Sequence, residues 1–185
     1  GVPGGFMSML GSEKLHDAVQ KGGNPGEILS ILNRSIKNSL RRTEGERSIL
    51  DGFDIALCLF DLNTKMLRFA GAHRPIYIVR KGTKIIEEIK PTKTAIGGWT
   101  DEYQMFETHQ VQLHEGDSFF MFTDGFADQF GTTNRRLMSK NFKQLIVSIQ
   151  DQPLAMQEAY LKEFLVKWQG DEEQTDDILV LGVRV

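Results

Sequence analysis

Apolar residues follow a helical period at both ends of the chain and a strand-like pattern between them. Phe6, Met7, Leu10, Leu15, Ala18 and Val19 form an imperfect helical face, so a helix is expected from Phe6 to about Lys21, stopped by Lys21-Gly22-Gly23. Asn24-Pro25 reads as a cap followed by proline in a first helical turn. Ile28, Leu29, Leu32, Ile36 and Leu40 then keep helical spacing, which predicts a second helix to about Arg42. Thr43–Ser48 is charged and is expected as an exposed loop. The pattern changes at Phe53. Ile55–Phe60 is a continuous apolar run, Asp61–Thr64 a turn, and Lys65–Gly71 a returning strand. Pro75–Val79 and Lys84–Ile89 predict a hairpin across Lys81-Gly82. Tyr103–Leu113 and Ser118–Thr123 predict another across His114–Asp117.

Phe119–Phe122 and Ile178–Leu181 lack polar alternation, which predicts strands covered on both faces. Met138–Ile149 and Leu154–Trp168 carry helical spacing, with Tyr160, Phe164 and Trp168 expected in the core. A final strand is expected over Asp177–Val185. Two helices, six strands, two helices and a strand do not alternate as a parallel array would. They predict an α+β fold of antiparallel sheets with helices packed outside.

Composition narrows the function classes. A chain of 185 residues with formal charge −3 is read as one domain, without a basic block that would mark a nucleic-acid partner. Arg34, Lys37, Arg41 and Arg42 spread around the second helix and read as a solvated face. Cys58, the single cysteine, has no disulfide partner and reads as a buried residue in a reducing, cytoplasmic compartment. No apolar stretch reaches membrane-span length, and Gly1–Leu10 lacks the basic start of a secretion signal.

The candidate chemistry lies in two acidic turns. Thr123-Asp124-Gly125 follows Phe119–Phe122, and Asp176-Asp177 precedes Ile178–Val183. Carboxylates at two strand ends could share a divalent cation if the strands are sheet neighbours; taken singly, each is an ordinary turn, and calcium binding or no ligand at all stays open. Asp51, Asp54 and Asp61 read as turn or edge residues, and Asp117 as hairpin-turn chemistry. His16, His73, His109 and His114 show no ligand spacing. Ser8 has no histidine base in a hydrolase pattern.

Taken together, the segments resemble the SpoIIE-type branch of the metal-dependent PPM (protein phosphatase 2C-like) serine/threonine phosphatases. Gly1–Met9 looks like the end of that family's Asp-x-x-Gly-His-Gly-x-Pro motif, and Asp51–Cys58 like the strand after its helix pair. Phe69-Ala70-Gly71-Ala72-His73-Arg74-Pro75 resembles its Ala-Gly-x-x-x-Pro turn. Phe122–Gly131 resembles its Ser/Thr-Asp-Gly segment, and Gln174–Ile178 its terminal Asp-Asp or Asp-Asn motif. Five such matches fall in family order along the chain.

The resemblance implies an α-β-β-α sandwich of antiparallel sheets with helix pairs outside. It implies two manganese or magnesium ions, a metal-activated water as attacking group, and phosphoserine or phosphothreonine in a bacterial regulatory protein as substrate. Relatives' substrates include phosphorylated anti-sigma-factor antagonists. Asp124 and Asp176 fall on the metal ligands, with Asp177 and Gly125 in support; no substrate-binding residue is assigned. Residues 1–185 are expected to be the C-terminal portion of one phosphatase domain, lacking its first strands and the upstream bridging aspartate, so the fragment by itself is expected to be inactive. The alternative is a non-catalytic partner-binding or dimerising relative. The segment Phe6–Arg42 is the expected homodimer surface, and no membrane or nucleic-acid contact is expected.

Overall fold

The computed structural model describes residues 2–43 and 52–185. In chain order the elements are helices α1 (Val2–Gln20) and α2 (Pro25–Thr43), then strands β1 (Gly52–Phe53), β2 (Ile55–Phe60), β3 (Met66–Ala72), β4 (Ile76–Val79), β5 (Ile86–Ile89), β6 (Ile96–Gly97), β7 (His109–Gln112) and β8 (Ser118–Phe122). A one-turn helix α3 (Gly125–Asp128), helices α4 (Met138–Ile149) and α5 (Leu154–Gln169), and strand β9 (Val180–Arg184) complete it. They form two compact units, Gly1–Pro75 with Lys90–Gln112, and Ile76–Ile89 with Leu113–Val185.

In the first unit, α1 starts at Val2, ahead of the expected Phe6, because proline at position 3 is compatible with a first helical turn. Helix α2 opens on a capping box: Asn24 Oδ1 accepts the Glu27 N–H at 3.0 Å while Glu27 Oε2 accepts the Asn24 N–H at 2.8 Å. Its buried stripe of Ile28, Leu29, Leu32, Ile36 and Leu40 packs with Met7 and Ala18 of α1, Ala70 and Ala72 of β3, Ile96 and Phe106. The sheet is antiparallel in the order β2-β3-β7, with Ile55 opposite Ala72 and Leu67 opposite Val111. Cys58 is half-buried on β2, and burial pushes its thiol up to about 12. Asp51 and residues 44–48 lie outside the described residues.

The hairpin expected between Tyr103–Leu113 and Ser118–Thr123 does not form. β7 is only four residues long and pairs with β3, whereas β8 pairs with β4 and β9. Residues 97–106 are bound to α2 instead. Asn33, fully buried, accepts the Gly97 N–H at 2.9 Å and donates to the Asp101 carbonyl at 2.7 Å. Lys37 Nζ donates to the Gly98 carbonyl at 3.0 Å, and the Ser30 hydroxyl accepts the Phe106 N–H at 3.3 Å. Side chains from α2 thus satisfy the backbone that a strand partner would otherwise take. The expected solvated basic face is also partly used, because Lys37 serves this loop and the Arg34 guanidinium lies 5.0 Å from the Tyr103 ring.

The second unit is an antiparallel sheet in the order β5-β4-β8-β9. Phe142, Leu145, Ile146 and Ile149 of α4 and Leu161 of α5 pack with Tyr77, Val79, Phe120, Phe126 and Ala127. Phe142 is the hub, with ring centroids 5.2 Å from Phe122 and 4.9 Å from Phe126. Phe164 and Trp168 join this core as expected, but Tyr160 is exposed. β9 begins at Val180, later than expected, and Leu179 and Leu181 are exposed. Ile178–Leu181 is therefore not covered on both faces. Among the described residues β9 is an end strand of the sheet, and while Ile178 and Val180 turn to the helices, the alternate side chains turn away.

Candidate metal centre

The two acidic turns meet where β8 and β9 end. The last ladder pair is Phe122 with Val180, and the chain continues past it on both sides into Thr123-Asp124 and Asp177-Ile178-Leu179. Thr123 fastens the two ends. Its N–H donates to the Leu179 carbonyl at 3.0 Å, its hydroxyl donates to the Asp177 carbonyl at 2.8 Å, and the same hydroxyl accepts the Leu179 N–H at 2.9 Å. Three bonds from one residue fix the height of Asp124 against Asp177 before any ligand arrives.

Gly125 makes that approach sterically possible. A Cβ there would lie 2.5 Å from the Asp177 carbonyl oxygen and 3.0 Å from its carbon, both backbone atoms that cannot swing away. Glycine is thus required by close approach of two backbones. Asp124 precedes α3, whose Asp128 N–H bonds the Asp124 carbonyl at 2.9 Å. Asp124 is half-buried, whereas Asp176 and Asp177 are exposed. One oxygen of Asp176, Oδ1, accepts the Asp177 N–H at 2.7 Å, which orients that carboxylate.

Behind the turns stands Gln129, fully buried. Its side-chain amide NH₂ donates to the carbonyls of Phe130 at 3.1 Å and Glu173 at 3.0 Å, and its backbone carbonyl accepts the Trp168 indole N–H at 3.0 Å. It ties the segment leading to Asp176 back to the end of α3 and to α5. The sequence reading passed over Thr123 and Gln129. Thr123 had a signal, as the hydroxyl residue beside the Asp-Gly turn; Gln129 had none, because its partners lie up to 44 residues away.

Hard carboxylate oxygens on neighbouring strand ends suit magnesium or manganese. Among the described residues, however, no group of three or more His, Cys, Asp or Glu side chains converges as a metal site. The donor set therefore fits a cation held by at most two of these carboxylates with water filling the rest, and does not fit an all-protein cage.

The remaining candidates lie apart. Asp117 closes a turn, its N–H donating to the His114 carbonyl at 3.0 Å, though that turn joins no hairpin, and its carboxylate is a buried anchor that accepts from Arg80 Nη1 and the Lys81 N–H, each at 2.9 Å, and from the His114 N–H at 3.0 Å. Asp61 is a turn residue as expected, its carboxyl held below the usual range chiefly by the N–H groups of Thr64 and Asn63. In the first unit, His73 Nδ1 lies 3.1 Å from Asp54, which also binds Arg74 at 2.7 Å. His16 is exposed on α1.

The sequence profile described as Stage II sporulation protein E (SpoIIE) matches residues 1–185. No curated protein sequence matches. Among solved structures, the SiaA-PP2C domain of Pseudomonas aeruginosa is similar at 29% identity and TM-score 0.85, covering 100% of this chain and 71% of that one. The PP2C phosphatase domain of SpoIIE from Bacillus subtilis, solved with a fragment of its regulatory domain, is similar at 22% identity and TM-score 0.69, covering 97% of this chain and 50% of that one. RsbX in complex with magnesium is similar at 15% identity and TM-score 0.59, covering 93% and 71%. The fold is that of the PP2C/PPM phosphatase domains, a mixed arrangement of helices and antiparallel sheets.

Proposed function

The chain belongs to the SpoIIE family, and on that premise we propose that it carries the terminal metal ligands of a protein serine/threonine phosphatase. The observation that supports this reading is the junction of β8 and β9, where Thr123 and Gly125 bring Asp124 to the level of Asp177. Asp124 and Asp176 would hold the cation, with Asp177 supporting, and magnesium or manganese suits their oxygens. RsbX, of similar fold, binds magnesium. When bound, the metal lowers the pKa of a coordinated water and offsets charge on the phosphoryl oxygens, so the protein needs no nucleophile of its own.

The chain's own part is to position. The Thr123 hydroxyl keeps the strand ends closed, and the Asp177 N–H engages one carboxylate oxygen of Asp176, leaving the other for a ligand. Gln129 restrains the approach of residues 173–176. The substrate in this reading is a phosphoserine or phosphothreonine protein, an anti-sigma-factor antagonist being one such substrate class, in a bacterial cytoplasm. Self-association through Phe6–Arg42 is part of the same proposal, and Phe6, Met9 and Val19 are exposed on α1.

The small donor set among the described residues favours a second reading for residues 1–185 alone, as a weak cation binder without turnover. Manganese titration by calorimetry and hydrolysis of a phosphothreonine peptide, done on this chain and on a longer parent protein, separate the two. In the parent, Asp124→Asn or Asp176→Asn should weaken manganese about tenfold or more and abolish turnover with the fold intact. Unchanged manganese affinity in both variants would refute the ligand assignment.

A further inference from the structure

We propose that the groove between α4 and β5 docks an extended acidic segment of a partner protein. The groove has a volume of about 560 Å³ and is lined by Lys84 and Ile86 on one side and by α4 on the other. The α4 side is a single stripe: Lys140, Lys143, Gln144, Val147 and Ser148 follow at helical spacing, and Asp151 lies just past the helix end. It is distinct from the stripe of Phe142, Leu145, Ile146 and Ile149 that α4 buries in the core. Helix α4 therefore has two used faces, one that holds the fold and one that the fold leaves open.

Charge sets the occupant. Three lysines face one aspartate in the lining, on a chain whose net charge is −3. Lys143 binds Glu88 at 2.8 Å and lies 5.0 Å from the Tyr77 ring, which fixes its ammonium. Lys84 and Lys140 are exposed and make no ion pair among the described residues. Two unpaired ammonium groups beside one held in place favour an anionic ligand.

Backbone geometry sets its form. β5 is the end strand of its sheet and pairs only with β4 among the described residues, so its outer edge offers main-chain N–H and C=O groups. An added strand satisfies them, and the lysines select acidic side chains along it. Ile86 and Val147 in the lining, with Ile85 exposed beside them, suit the apolar side chains of such a strand. No aromatic residue lines the groove, so it has no platform on which nucleic-acid bases would stack. The turn before β5 is kept in place by α4's own end, where the Gln150 amide donates to the Thr83 carbonyl.

The test is fluorescence anisotropy with a labelled peptide alternating glutamate and valine, on the full chain. Binding should weaken about tenfold in the double variant Lys84→Glu/Lys140→Glu, and also on raising salt from about 0.05 to about 0.2 M. The double variant Lys14→Glu/Lys21→Glu changes net charge equally at the polar groove between α1 and α2 and should leave binding unchanged. Thermal melts check that each variant folds. Equal loss in both double variants, no peptide binding at all, or tighter binding of a labelled oligothymidine would overturn the proposal.

Discussion

Replacing Asp117 by asparagine tests whether the second unit is held by one buried carboxylate. Asp117 is 3% exposed, and its two oxygens accept from Lys81, His114 and Arg80. It thereby joins the turn after β4 to the turn before β8. Asparagine keeps the shape and one acceptor oxygen, but it turns an NH₂ group toward N–H donors. The lost charge-assisted bond is worth about 1.5–3 kcal/mol. The full penalty for stranding a buried charge does not apply, because Arg80 is one-third exposed and keeps Glu87 at 3.0 Å. A net cost of about 2–3 kcal/mol follows, roughly a 30-fold to 150-fold fall in the folded-to-unfolded ratio.

Urea unfolding followed by tryptophan fluorescence measures this as a lower midpoint at unchanged slope. The pH dependence is a second readout. Burial pushes the Asp117 carboxyl up, but the Lys81 N–H, the Arg80 guanidinium and the His114 N–H outweigh it and hold the carboxyl below its ordinary value. A lowered carboxylate contributes stability that is complete above the unfolded value, about 4, and is lost as pH falls through the folded one. The gap between wild type and Asp117→Asn should therefore close as pH falls below about 4. A loss smaller than about 0.5 kcal/mol at neutral pH would refute the anchor, and so would a gap that stays constant down to acid pH.

Gly125→Ala should cost about 1–3 kcal/mol and weaken manganese binding, since its Cβ would press on the Asp177 carbonyl; calorimetric titration of the purified variant checks both. Thr123→Val keeps volume but removes the hydroxyl bonds to Asp177 and Leu179, and should cost about 1–3 kcal/mol in urea unfolding. Asn24→Ala removes the α2 cap and its bond from the Thr108 hydroxyl, lowering stability by about 1–2 kcal/mol, while Glu27→Gln, which keeps an acceptor, should lose less.

Elements with a strong local signal could be read from the sequence. α2 and α4 follow from five and four core residues at helical spacing, and β2 from an unbroken apolar run closed by the Asp61 turn. What could not be read depends on partners remote in sequence. Tyr103 and Met105 fall in a stretch that reads as a strand, yet its backbone is taken by Asn33 and Ser30, some 70 residues earlier. The two-residue pairing of β1 with β6 offers no local periodicity at all. Ile178–Leu181 has the composition of a doubly covered strand, but cover is a property of the neighbours on each side. The end position of β9 leaves Leu179 and Leu181 outside.

The candidate centre divides along the same line. Asp124, Asp176 and Gly125 are legible because acid and glycine at strand ends have a chemical reading of their own. The place of Thr123 beside the Asp-Gly turn is legible but its role is not, and Gln129 is not legible at all, because their contribution is to hold other backbone in place. Yet the positioning residues carry the stronger structural argument. Exposed aspartates at strand ends occur in many folds, whereas a threonine hydroxyl that both donates to and accepts from the facing strand, beside a glycine whose Cβ would strike that strand, leaves little freedom in the separation of the two turns. That distance is set by neutral hydrogen bonds and packing, so it should persist without a cation. Metal binding at this junction should therefore order side chains more than backbone. Amide hydrogen exchange at Leu179, whose N–H bonds the Thr123 hydroxyl, should change less than about twofold on adding manganese, and protection rising tenfold or more would show instead that the metal builds the junction.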